Sequence, residues 1–124
     1  MKIIEAINAI DTLKPNNYTQ MEKIGWLSYL DGVIKTEIID THAGKEQYSF
    51  SGYDENTDPD TELLAAEPYG KDLYIKYLEN QMDYHNGETE LYQNSLLMFQ
   101  DAYTAFANWY NRCHLPISRK RKFW

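Results

Sequence analysis

The sequence is poor in cysteine and has no long apolar run, and each absence excludes a class of protein. Cys113 is the single cysteine among 124 residues, which excludes an internal disulfide and a zinc site built on several cysteines. No window approaches the roughly 20 apolar residues that cross a bilayer. Glu5, Asn8 and Asp11 interrupt any signal-like apolar segment near Met1. We therefore expect a soluble chain made in the cytoplasm, with no membrane partner.

Patterns that carry catalysis or cofactor binding are also missing. The six glycines are scattered and form no phosphate-binding loop. His42, His85 and His114 have no zinc-like spacing, and we expect each of them at the surface or at a helix end. Cys113 and His114 are adjacent, so they point in different directions on a helix, which favours a buried, inert thiol over a nucleophile. The sequence therefore predicts no enzyme, no cofactor and no metal.

Acidic residues cluster twice without completing a site. Four residues alternate as ligands do in an EF-hand loop: Asp54, Asn56, Asp58 and Asp60. Pro59 occupies the position that needs glycine, and Ala65 the position that needs a bidentate acid. Glu79 and Asp83 share a helix face, but no surrounding apolar pocket is indicated that would push their pKa values apart. We predict a solvated acidic surface in both places.

Charge is distributed unevenly along the chain. The net charge is −7, and four of the twelve basic residues are consecutive, Arg119, Lys120, Arg121 and Lys122. Without these four, the rest of the chain has eight basic and nineteen acidic residues. Because an acidic surface repels phosphates, we do not expect general DNA binding by the body of the protein.

Apolar residues recur at helical spacing in four segments, residues 2–13, 19–40, 71–85 and 88–113. Thr19 and Glu22 form a capping box at the start of the second segment. Asn86 and Gly87 supply a left-handed turn that makes the third and fourth segments an antiparallel hairpin. The predicted fold is an all-α, four-helix bundle-like domain with a long central loop that carries at most a short β element.

The fourth segment organises this prediction, because its inward positions are nearly all apolar or aromatic. They are Leu91, Ser95, Met98, Phe99, Ala102, Tyr103, Phe106, Trp109, Tyr110 and Cys113. Eleven tyrosines, three tryptophans and four phenylalanines are more rings than a chain of this size hides with ease. Tyrosine is enriched where protein surfaces meet, so self-association and a tyrosine-rich core remain equally open.

Two segments are candidates for contacts with other chains. Residues 41–68 lack a helical pattern, and long loops of this kind are often functional. A weak alternation over residues 47–53 suggests a strand that pairs with residues 62–66. The tail, residues 118–124, follows a single domain, residues 1–117, and is basic and aromatic. Three interpretations of it stay open: a solvated, disordered end, a clamp on an acidic surface of a neighbouring subunit or partner, and a contact with DNA phosphates. The candidate interaction residues are Tyr48, Phe50, Tyr53, Arg119, Lys120, Arg121, Lys122, Phe123 and Trp124.

The whole string resembles a family of small head–tail connector (adaptor) proteins of tailed phages and prophages of Gram-positive bacteria. The resemblance covers nearly all of residues 3–114. It is carried by IIEAINAIDTLKPNNYTQMEKIGWLSYLDGV at 3–33, IIDTH at 38–42, FSGYDENT at 50–57, LYIKYLENQMDYHNGE at 73–88 and YNRCH at 110–114. The chain departs from the family pattern at Ala65 and Ala66, where a valine–proline pair is expected. It departs again at Gly70, where an acid is expected and glycine weakens the cap of the third helix.

The resemblance implies a structural virion protein made in the host bacterial cytoplasm. Such adaptors form a homo-oligomeric ring beneath the portal, with a dodecamer on the portal as one form, and join the capsid to neck and tail proteins. DNA only passes through the ring. The alternatives left open are another small phage assembly or tail-completion factor and a phage-encoded protein-binding regulatory module.

Overall fold

The computed structural model describes residues 1–42 and 50–114, and this part of the chain contains four α-helices. They are α1 (Ile3–Leu13), α2 (Gln20–Glu37), α3 (Tyr69–Asn86) and α4 (Thr89–Cys113), and a 3-10 turn (Ile39–Thr41) follows α2. The prediction of an all-α, bundle-like domain is confirmed. Residues 43–49 and 115–124 lie outside the described part of the chain, and with them the predicted contact residues Tyr48, Arg119, Lys120, Arg121, Lys122, Phe123 and Trp124.

Helix α3 is the centre of the bundle. It runs antiparallel to α4 along its length, and its other sides receive α1 and α2. Its buried apolar residues are Leu73, Tyr74, Tyr77, Leu78 and Met82. Among the described helices α2 and α4 do not pack closely against each other, because both flank α3.

Local signals set the helix ends much as the sequence predicts. The Thr19 hydroxyl accepts from the Glu22 backbone N–H at 3.1 Å, and the Glu22 carboxylate accepts from the Thr19 backbone N–H at 2.9 Å, which confirms the capping box. Gly87 has a φ of 73°, the left-handed turn expected between α3 and α4. Helix α2 ends three residues earlier than predicted, because the chain tightens into the 3-10 turn at Ile39.

Helix α3 begins at Tyr69, earlier than predicted, and Pro68 rather than Gly70 is its cap residue. Gly70 lies in the first turn, where a Cβ atom would stand 2.4 Å from the carbonyl oxygen of Ala65. Its backbone N–H donates to the Ala66 carbonyl at 2.8 Å. Glycine is therefore required here by the close approach of two backbones, and its effect on the cap is secondary.

The second half of the central loop closes over the start of α1. The N–H groups of Ile3 and Ile4, which have no partner within a helix, donate to the carbonyls of Thr61 and Pro59 at 3.0 Å each. Glu62 forms an isolated antiparallel bridge with Lys2. The predicted pairing of residues 62–66 with residues 47–53 is therefore wrong for the described residues 50–53, since the amides of α1 recruit this segment instead.

A buried carboxylate joins the loop to the bundle. Asp31 of α2 is fully buried and accepts hydrogen bonds from the Tyr53 hydroxyl at 2.5 Å, the Tyr74 hydroxyl at 2.5 Å and the Leu64 backbone N–H at 3.0 Å. Tyr74 in turn accepts from the Ala65 backbone N–H at 2.8 Å. Burial raises the pKa of the Asp31 carboxyl, and the three donors oppose that rise. We call these groups the Asp31 cluster.

Two of the expected helix surfaces differ in the structure. Helix α4 buries only Ser95, Ala102, Phe106 and Tyr110, and it leaves Leu91, Met98 and Cys113 exposed, so the predicted buried thiol is wrong. The stripe is narrow because α3 is the one described helix that packs along α4. Ser95, the single polar residue of the predicted stripe, is buried because it accepts from the Asn80 side chain of α3 at 3.1 Å.

Glu79 and Asp83 of α3 are predicted to face solvent, and this prediction is wrong for Asp83. Asp83 is 2% exposed and forms an ion pair with Lys14, which follows α1. Lys23 of α2 is likewise buried and pairs with Asp11 of α1 at 2.6 Å. These two ion pairs bury charged side chains near the connection between α1 and α2, at positions where helical periodicity alone predicts open surface.

Removing the Asp31 carboxylate should destabilise the whole domain. We expect Asp31→Ala to lower the free energy of unfolding by about 3 kcal/mol or more, because three donors lose their acceptor in a buried site. Tyr53→Phe, which removes one donor and leaves the carboxylate paired, should lower it by about 2 kcal/mol. Denaturant unfolding followed by circular dichroism measures both. Asp101→Ala, at an exposed position of α4, is the matched control. Equal stability of Asp31→Ala and this control would contradict the assignment.

Candidate interaction surface

An open groove lies between α2 and α4, with α3 as its floor. Its volume is about 640 Å³. The groove exists because α2 and α4 flank α3 without packing against each other. Its lining residues are Tyr29, Leu30, Val33 and Glu37 of α2, Tyr77 of α3, and Phe99, Gln100, Tyr103 and Thr104 of α4. We call this the α2–α4 groove.

Aromatic rings dominate the walls of the groove. Tyr77 and Phe99 pack with their ring centroids 5.1 Å apart, and Phe99 and Tyr103 pack at 5.9 Å. Tyr29 stands on the α2 side with 69% of its surface exposed. Leu97, 61% exposed, precedes Gln100 by one turn of α4 and extends the apolar surface. Tyr77 is buried and Phe99 and Tyr103 are half-buried, so Tyr29 and Leu97 are the large exposed side chains here. Exposed apolar side chains beside a groove are typical of a site that another chain covers.

One carboxylate lies at the end of the groove. Glu37 is the last residue of α2, where the helix dipole already places partial negative charge. Its carboxylate accepts from the Tyr103 hydroxyl at 2.8 Å, and this contact joins α2 to α4 across the groove. Burial and then this carboxylate raise the pKa of the Tyr103 hydroxyl. The end of the groove therefore favours a cation.

A second depression, of about 350 Å³, lies on the other side of Tyr29. It shares Tyr29, Val33 and Glu37 with the α2–α4 groove and adds Ser28, Gly32 and Thr36. A Cβ atom at Gly32 would meet nothing within 4 Å, so this glycine admits no close helix and leaves open space beside Tyr29. Tyr29 is thus a ridge between two neighbouring depressions.

The predicted interaction residues of the central loop lie away from this groove. The ring of Phe50 packs against that of Tyr53 at 5.2 Å. Tyr53 is half-buried, its hydroxyl donates to Asp31, and its backbone N–H donates to the Ser28 hydroxyl at 3.0 Å. Tyr53 therefore has a place in the fold, and a role of these two rings in binding stays a prediction.

The acidic loop is held by its own side chains. The Asp54 carboxylate accepts from the Asn56 backbone N–H at 2.9 Å, and the Asp58 carboxylate accepts from the Asp60 backbone N–H at 2.9 Å. Such turns are the usual local role of aspartate in loops. Over residues 1–42 and 50–114 no group of three or more His, Cys, Asp or Glu side chains is placed to hold a metal ion.

His42 lies at a helix end, as expected, since it caps the 3-10 turn after α2, and it is buried there. Its Nε2 lies 2.7 Å from the Asn111 side-chain oxygen, and its ring packs edge-on against Tyr110 at 4.7 Å. The ring of His114 stacks on the same tyrosine, Tyr110, with the ring centroids 3.9 Å apart. These contacts join the segment that follows α2 to the end of α4. His85 is exposed, as expected, and stacks on Trp26 at 5.3 Å.

No sequence pattern marks the groove residues as one surface. Leu30 and Val33 belong to the predicted apolar stripe of α2, and Phe99 and Tyr103 belong to that of α4, where core packing is expected. The available signal was the large ring of Tyr29, which lies outside the apolar stripe of α2. No described helix is long and apolar enough to span a membrane.

Comparisons of the chain with protein-family models, curated proteins and solved structures gave no match. The chemistry of the surface is therefore inferred from its own residues. It offers rings and one carboxylate in an open groove, a combination suited to an aromatic and basic segment of a protein.

Tyr77, at the floor of the groove, gives the domain a distinct response to high pH. Burial, and then the nearby Tyr29, raise the pKa of Tyr77 to about 12 from an ordinary value of 10.0. The pKa of Tyr77 is higher in the folded chain than in the unfolded chain. The preference of the folded chain for the neutral phenol therefore contributes fully to the free energy of unfolding below about pH 10, and this contribution is lost as the pH rises through about 12. Between these values the group lowers the free energy of unfolding by about 1 kcal/mol per pH unit.

Tyr77→Phe, which has no proton to lose, should therefore lose less stability than the parent chain between pH 10 and pH 12. Denaturant titrations at several pH values measure the difference, and the same pair at pH 7 supplies the baseline. Parallel pH profiles for the two proteins would show that the phenol ionises as easily in the folded chain as in the unfolded chain.

Proposed function

We propose that the chain is a structural head–tail connector, or adaptor, of a tailed phage. Copies of it form a ring beneath the portal, contact the neck and tail proteins, and join the capsid to the tail. The proposal draws its name from the resemblance carried by residues 3–114. The observation that supports it best is the α2–α4 groove, an open aromatic contact surface on a helical body.

The charge of the body suits the passage of DNA through such a ring. Outside the basic tail, nineteen acidic residues stand against eight basic ones. Like charge keeps a duplex from adhering to the inner wall, so the duplex slides. In this role the side chains provide shape and docking, no bond is made or broken, and no cofactor is needed. The protein is made in the host cytoplasm and ends in the virion.

The groove also suits a second role, a protein-binding regulatory module encoded by a phage. An open groove lined by Tyr29, Tyr77, Phe99 and Tyr103 accepts a helix or an extended peptide of a partner as well as a neighbouring copy. The two roles differ in stoichiometry. A connector adds a whole ring of chains to a portal, whereas a regulatory module binds one partner per chain.

Mass photometry with the portal protein of the same phage tests the proposal. We expect the portal particle to gain mass in a single step that equals one complete ring of chains, a dodecamer in the form that the resemblance implies. Intermediate occupancies should be scarce, because neighbouring copies stabilise each other once bound. Portal alone and a portal from an unrelated phage are the controls. An unchanged portal mass at saturating chain concentration would contradict the connector role.

A further inference from the structure

We infer that the α2–α4 groove receives the Phe123–Trp124 end of a second copy of this chain, so that copies join head to tail. The inference rests on the proposed function for its choice of a neighbouring copy, since a ring needs a contact between chains. The other occupants, which are the same chain's own end and an unrelated partner, are outcomes of the test below.

The first argument is the match in chemistry between the groove and the tail. The tail places four consecutive cations, residues 119–122, directly before two large rings. The groove places one carboxylate, Glu37, at the negative end of α2 and lines the adjoining space with rings. Cations next to carboxylates and rings packed against rings are each favourable, and here the order along the tail fits the order along the groove.

The second argument is the shape of the surface. Tyr29 separates two depressions that share a wall, with volumes of about 640 Å³ and 350 Å³. Two adjacent aromatic residues need two neighbouring recesses, and Phe123 and Trp124 are adjacent. Aromatic anchors seated in such recesses usually carry most of the binding energy of an interface.

The third argument is length. Ten residues follow His114, and an extended chain of that length spans about 33–36 Å. From Thr104 to His114, α4 advances by about 15 Å. The tail is therefore long enough to leave its own bundle and reach a neighbour, and equally long enough to fold back onto its own groove. The experiment must separate these two arrangements.

The glycines of α2 provide a matched pair of variants. Gly32→Lys fills the depression beside Tyr29 and adds a cation that repels the tail, and a Cβ atom there meets nothing within 4 Å. Gly25→Lys makes the same change two turns earlier on α2, also with nothing within 4 Å, and outside both depressions. Because lysine is the better helix former at both positions, neither variant should unfold the domain.

Sedimentation velocity of the full chain, at concentrations up to about 1 mM, provides the readout. We expect the parent chain and Gly25→Lys to associate alike. Gly32→Lys, and separately the double variant Phe123→Ser/Trp124→Ser, should raise the Kd of association at least about tenfold. A mixture of the groove variant with the tail variant should form a 1:1 pair, because one intact groove and one intact tail remain.

Each other outcome overturns the inference in a distinct way. If the parent chain is monomeric at every concentration, or if either variant associates as tightly as the parent chain, the groove of one copy does not bind the tail of another. Two variants that fail to pair when mixed would show that the tail does not bind the groove. A monomeric parent chain whose two variants do pair would show that the tail occupies its own groove. Assembly of the tail variant as a complete ring on the portal would reject this joint and keep the connector role. Head-to-tail association without portal binding would keep the joint and reject the connector role.

Discussion

The fold depends on one buried carboxylate. Asp31 has no access to water, and its two oxygens accept from two tyrosine hydroxyls and one backbone amide. These donors come from the central loop and from α3, so one side chain of α2 joins three parts of the chain. A buried charge is costly unless it is hydrogen-bonded, and two of the three donors here come from the central loop. The cluster therefore specifies where the loop lies.

The groove follows from the arrangement that this cluster fixes. With α2 held to α3 and to the loop, and α4 held to α3 as an antiparallel hairpin, α3 occupies the centre and the two outer helices stand apart. The contact between Glu37 and Tyr103 is the polar link across the opening, and the His42 contacts with Asn111 and Tyr110 join the segment that follows α2 to the end of α4. Tyr29 remains exposed, and Phe99 and Tyr103 remain half-buried, because no fifth element of the described chain covers them.

Much of the architecture could be predicted from the sequence, because it rests on local signals. Helical periodicity, the capping box at Thr19 and the glycine turn at Gly87 act within a few residues, and each is present. What could not be predicted depends on contacts between distant segments. Leu91 and Met98 fall on an apolar pattern but have no helix to cover them, and Asp83 falls on a polar pattern but meets Lys14. The partner of Glu62 is set by the unpaired amides of α1, which a strand pattern does not reveal.

The candidate surface was harder to predict than the fold for the same reason. Tyr48, Phe50 and Tyr53 attract notice as rings in a loop, yet Tyr53 takes part in the Asp31 cluster. The groove draws single residues from three helices, so no stretch of sequence contains it. The tail is different, because its cations beside two rings form a continuous stretch that the sequence itself marks as a candidate contact segment.

Hydrogen exchange at the Leu64 backbone amide tests the role of the Asp31 cluster most directly, because this amide lies in the loop and donates to the carboxylate. The account predicts that it exchanges only when the domain unfolds, with a protection factor close to those of the buried amides of α2 and α3. Rapid exchange at Leu64 in a domain whose α3 amides stay protected would show that the loop opens independently and that Asp31 does not hold it.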